Sequence, residues 1–143
     1  MKPVMQKMPK IDELAGRELA DAVCDARGLK LLGRQPTYSA YAHPDGNPAH
    51  QIIVRCDEPL DPDYHPSGYR PDRDVAQVWE LEGDGWLWES SENMNGLVVR
   101  VRVPNTHRWA YGAWVDWADF PNKANAYATA RCRAFLKAKE AMG

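Results

Sequence analysis

The sequence has no long apolar run, no surplus of positive charge and no paired-cysteine motif, and each lack excludes something. Its apolar residues never run beyond a handful, so no segment is expected to span a bilayer. Met1–Lys10 is punctuated by Lys and Pro and holds no apolar core, which argues against a secretory signal. Eighteen Lys and Arg against twenty Asp and Glu leave a net charge of −2, so bulk positive charge gives no argument for nucleic acid. Cys24, Cys56 and Cys132 stand 32 and 76 residues apart, an odd and widely spaced set that fits a reducing compartment rather than a disulfide framework. His43, His50, His65 and His107 have no zinc-site spacing to them. There is no GxSxG elbow, P-loop, GxGxxG or HExxH. The expectation is a cytoplasmic protein without metal or cofactor and not an enzyme, its 143 residues forming one domain.

What the chain does have is uneven charge. Residues 1–56 carry a net +2, residues 57–92 set eleven acids against Arg70 and Arg73, and residues 93–143 carry a net +5. Such blocks can neutralise one another inside a domain or steer a charged partner.

Ile11, Ala15, Leu19, Ala22, Val23 and Ala26 recur at helical spacing between Pro9 and Gly28, which predicts a helix over 11–26 after a flexible 1–9. Thr37–Ala42 and Gln51–Cys56 read as a hairpin across His43–His50, with the two histidines near each other at its base. Two imidazoles without a third ligand make no metal site. Residues 57–71 form a long Pro- and Asp-rich loop. Asp61, Asp63 and His65 alternate like a calcium loop, but Pro66 takes the glycine position and Asp72 the place of the last glutamate. A second helix is expected over Asp72–Leu81, then strands at Trp86–Ser90, Leu97–Val103 and Trp114–Phe120, with a turn at Glu92–Gly96. The last helix, about Asn122–Ala141, buries Ala124, Ala128, Cys132, Phe135 and Leu136 and crowds bases into its last half. The order gives α+β, with a mainly antiparallel sheet of about five strands and three helices.

Three segments carry a family resemblance: Leu14-Ala-Gly-Arg-Glu-Leu19 with Val23 and Gly28, Tyr69-Arg-Pro-Asp-Arg-Asp-Val-Ala-Gln-Val-Trp79, and Ala128-Thr-Ala-Arg-Cys-Arg-Ala-Phe-Leu136. In that order they resemble the phage ABA sandwich domain family of small phage and prophage proteins, to which no function is assigned. The resemblance implies an alpha-beta-alpha sandwich and a phage or prophage origin, so that the expected cytoplasm is that of a bacterial host. The chain departs where Arg70-Pro71 follow the tyrosine, leaving Asp72 as the expected helix cap. The family supplies no catalytic residues.

Aromatics are the richest signal, since Trp86, Trp88, Trp109, Trp114 and Trp117 fall within 32 residues. They can simply fill the helix–sheet layers. Alternatively Trp86 and Trp88 share a face with Arg100 and Arg102 of the neighbouring strand, and Arg108, Trp109 and Tyr111 extend the platform. Trp interleaved with Arg suits a protein partner or stacked single-stranded bases. Three function classes follow: a phage accessory protein that binds a host or phage protein, a nucleic-acid-binding module that adds the basic last helix, and an unrecognised enzyme. An uncovered sheet face or edge would also invite a homodimer.

Overall fold

A computed structural model describes residues 10–55, 68–78, 86–102, 104 and 113–142. The first helical segment is split. A 3₁₀ turn at Ile11–Glu13 is followed by extended backbone at Leu14 and Ala15, and Gly16, at φ 59°, opens α1 (Gly16–Ala26). The helix stops where expected: Gly28, at φ 77°, lets its N–H reach the Asp25 carbonyl and the Leu29 N–H reach that of Cys24, the paired bonds of a Schellman cap. Two apolar sides are buried. Leu19 and Val23 join the larger core, while Ala20 and Cys24 join a smaller one with Tyr41 and Val54.

The smaller core lies under the antiparallel sheet β1 (Leu31–Gln35), β2 (Tyr38–Ala42), β3 (Gln51–Arg55), in that spatial order. The hairpin expected from sequence is β2–β3, with Ser39 opposite Val54 and Tyr41 opposite Ile52. On its far side the Tyr69 N–H bonds the Ile53 carbonyl at 2.6 Å. The following segment leads to α2 (Val75–Val78), a single turn capped by Asp74, whose carboxylate accepts the Gln77 N–H at 3.2 Å. Asp72, the expected cap, is instead paired with Arg70.

The second sheet, β4 (Leu87–Glu92), β5 (Gly96–Arg102) and β6 (Ala113–Asp116), is also antiparallel. The Asn93 side chain accepts the N–H groups of Asn95 and Gly96, which closes the expected turn. β6 ends earlier than its sequence suggests. A 3₁₀ turn at Trp117–Asp119 redirects the chain, held by Trp117 N–H to the Asn95 carbonyl and the Trp117 indole N–H to the Asn93 carbonyl.

Asn122 caps α3 (Lys123–Met142) by accepting the Asn125 N–H at 2.8 Å. From Ala126 to Ala138 this helix is buried around most of its circumference, and its alanines permit close approach on every side. Ala124, expected in the buried stripe, is exposed.

The architecture is therefore α+β and antiparallel, as the sequence implies, but the strands differ in number and grouping. Six strands form two three-stranded sheets, with the two long helices between them rather than outside one sheet. The physical reason is the helices themselves: α1 buries two adjacent sides in different cores and α3 is buried around most of its circumference from Ala126 to Ala138, so each needs partners on more than one flank. Residues 1–9, expected to be flexible, most of the expected 57–71 loop, the expected helix end at 79–81 and Val103 lie outside the described residues.

Candidate functional site

The register of β4 on β5 decides where the expected platform residues go. Trp88 lies opposite Val101, Glu89 opposite Arg100 and Leu87 opposite Arg102. Directly opposed residues share a face. Trp88 therefore points with Leu97, Val99 and Val101 toward α3, while Arg100 and Arg102 point away from it. Under α3 the Arg131 guanidinium sits 3.9 Å from the Trp88 ring centre, and Trp86 packs on Phe135 at 5.7 Å. Trp86 and Trp88 thus belong to the helix-covered face, and the two arginines occupy the opposite one. Arg108, Trp109 and Tyr111 lie outside the described residues.

The face carrying the arginines has its own indole. Trp114 of β6 lies opposite Val98 and is 46% exposed. Its indole N–H donates to Asp116 at 3.0 Å, and its ring lies over Gly96, where a Cβ would come within 2.9 Å of Trp114 Cζ2. Glu89 pairs with Arg100, and Leu87 stands exposed at the far corner. The result is an apolar centre framed by charges of both signs. Trp114 was visible in the sequence as one of a tryptophan cluster, but only the register shows which indole the arginines accompany.

A second polar cluster joins α1 to the β1–β2 hairpin, and no sequence motif announces it. The buried Asp21 carboxylate accepts the Tyr41 hydroxyl at 3.0 Å and the Ser39 hydroxyl at 3.3 Å, with Arg17 and Arg34 at 3.6 and 3.7 Å. Burial and the Asp21 charge push the Tyr41 phenol well up, so it stays a donor. Arg17 donates to the Pro36 and Gln35 carbonyls and to Ser39 Oγ. A groove of about 450 Å³ opens beside them, lined by two bases, two acids, Gln35 and Pro36. Its charges compensate one another, which suits a tie between helix and hairpin.

His43 and His50 do approach across their loop, with ring centres 6.0 Å apart, each Nδ1 bonded to Asp45 at 3.1 and 2.7 Å. The His50 bond, and after it the Asn47 N–H that donates to the carboxylate at 2.8 Å, hold the Asp45 carboxyl below its usual range. Among the described residues no cluster of three or more His, Cys, Asp or Glu is arranged to hold a metal ion. No helix among them is long and apolar enough to cross a membrane.

The two described thiols are poor nucleophiles. Burial, reinforced by Asp21, pushes Cys24 up to about 12, and burial raises Cys132 as well. Disulfide exchange with Ellman's reagent at pH 8 should therefore spare both in the folded protein and reach both in denaturant. Peptide mapping checks this, and rapid labelling of either native thiol contradicts it.

Compared with known proteins, the chain matches no family model, no curated protein and no solved structure.

Proposed function

We propose that the protein works by binding a partner protein on the open face of β4–β5–β6, not by catalysis. The observation that carries this reading is the half-exposed Trp114 on the face that α3 does not cover, set beside Val98 and framed by Arg100, Glu89 and Asp116. Exposed Trp and Arg around an apolar centre are the composition of a binding hot spot. Two carboxylates among the arginines fit a partner surface of mixed charge better than a phosphate backbone, which rewards unbroken positive charge.

The basic last helix lends the nucleic-acid alternative little support. Arg131 is buried against Trp88, Arg133 donates to the Leu14 carbonyl and Lys137 pairs with Asp12. The family resemblance implies a phage or prophage origin, and with it we propose an accessory protein of the bacterial cytoplasm that modulates a host function.

Tagged wild type and Trp114→Ala, passed over nuclease-treated host lysate, test the proposal. Loss of a hot-spot indole is worth about 2 kcal/mol or more. The variant should therefore retain a captured protein at least about tenfold less well, given 1.4 kcal/mol per factor of ten. Equal retention by both, or capture that disappears with nuclease, overturns the reading. So does a homodimer that Trp114→Ala dissociates, because the face would then be occupied by a second copy.

A further inference from the structure

A different surface carries an inference independent of the sheet face above. β1 is the outermost strand of its sheet, paired with β2 on one side and with no strand on the other among the described residues. Leu31 and Leu32 are 43% and 49% exposed, although adjacent residues in a regular strand point to opposite faces. A bulge accounts for the irregularity: Leu31 opposes Tyr41 and Gly33 opposes Ala40, so Leu32 has no counterpart. Beside them Gly33 is open, and a Cβ built there meets nothing within 4 Å. Two exposed leucines on a sheet edge offer both backbone groups and apolar side chains to another extended chain.

The charge around this edge selects its occupant. Lys30 stands at the start of β1 and Arg34 within it; Asp21 and Asp25 of α1 lie beside Arg34, Asp21 at 3.7 Å, so Arg34 is partly compensated from within the chain and Lys30 carries the basic charge that remains. Lys30 and Arg34 are exposed and flank the leucines. In an antiparallel pair of two β1 strands centred on Leu32, Lys30 of each copy would oppose Arg34 of the other, and like charges directly opposite are destabilising. An acidic strand meets no such penalty. We infer that β1 accepts an extended segment of a partner protein in which acidic residues bracket a short apolar stretch, adding a fourth strand to the β1–β2–β3 sheet.

A random nine-residue peptide display library, selected on the immobilised full-length protein, tests this without a known partner. Selected sequences should be enriched in Asp and Glu on either side of two or three apolar residues. A synthetic peptide of the commonest sequence, labelled for anisotropy, should bind Leu31→Ser/Leu32→Ser at least about tenfold more weakly than wild type, and Lys30→Glu several-fold more weakly. Both variants alter exposed side chains, and an unchanged far-UV spectrum and melting midpoint establish that they fold. Trp114→Ala should bind the peptide like wild type, which separates this edge from the face of the other sheet. Selection of peptides without acidic enrichment, binding indifferent to the leucine substitutions, or no selectable peptide overturns the inference.

Discussion

Arg70→Ala should destabilise the protein by about 3–5 kcal/mol, the usual cost of removing one partner from a buried ion pair. The guanidinium grips Asp72 with two parallel bonds, Nε to Oδ1 at 2.8 Å and Nη2 to Oδ2 at 2.7 Å. The two side chains are only 4% and 5% exposed. Alanine would leave the carboxylate buried and uncompensated. It would also release the Arg55 carbonyl, which accepts Arg70 Nη1 at 3.1 Å. Those bonds hold a junction, since Tyr69 extends β3 through the Ile53 carbonyl and Thr129 of α3 donates to the Asp72 carbonyl at 2.9 Å. The expected readout is a fall in the melting midpoint on the order of 10 °C. Replacing both partners together, as Arg70→Met/Asp72→Leu, should cost much less, because no charge is stranded. A single variant within about 1 kcal/mol of wild type would mean that the pair is solvated or dispensable.

That junction was barely legible in the sequence. Arg70 and Asp72 lie in a Pro- and Asp-rich stretch that reads as a loop leading to a helix cap, and nothing local announces a buried pair. What could be read was whatever depends on neighbours in the chain. The stop at Gly28 and the turn at Asn93–Gly96 follow from backbone chemistry over a few residues. β1 escaped because Leu31-Leu32-Gly33-Arg34-Gln35 has no alternation, and it becomes a strand through its pairing with β2.

The candidate site failed to emerge for a related reason. The two faces of β5 were plain from Leu97, Val99 and Val101 against Val98, Arg100 and Arg102. Which face β4 shares depends on a single-residue choice of register. The turn that pairs Glu92 with Leu97 puts Trp88 opposite Val101, and shifting one residue would have put it opposite an arginine. The burial of α3 on nearly all sides was similarly hidden, since alanine is as good a helix former on a surface as in a core.

Gly96→Ala should be the second costly substitution, and it links stability to the open face. A Cβ at this position would fall 2.0 Å from the Val115 carbonyl oxygen and 2.9 Å from Trp114 Cζ2. The indole can rotate away, but the carbonyl belongs to the backbone of β6, which pairs with β5 from Gly96 to Val99. Accommodation therefore requires β6 to move. A cost near the upper end of the about 1–3 kcal/mol typical of overpacking is expected, read as a lower midpoint in urea. Gly33→Ala is the matching control, since its new methyl meets nothing within 4 Å and should leave stability unchanged or raise it by a few tenths of a kcal/mol. The two close contacts can also be told apart. If the indole were the obstacle, Gly96→Ala would cost little in a Trp114→Ala background. If the carbonyl is, as its shorter separation requires, the cost persists in that background. The glycine then keeps β6 against β5, and with it the seat from which Trp114 faces a partner.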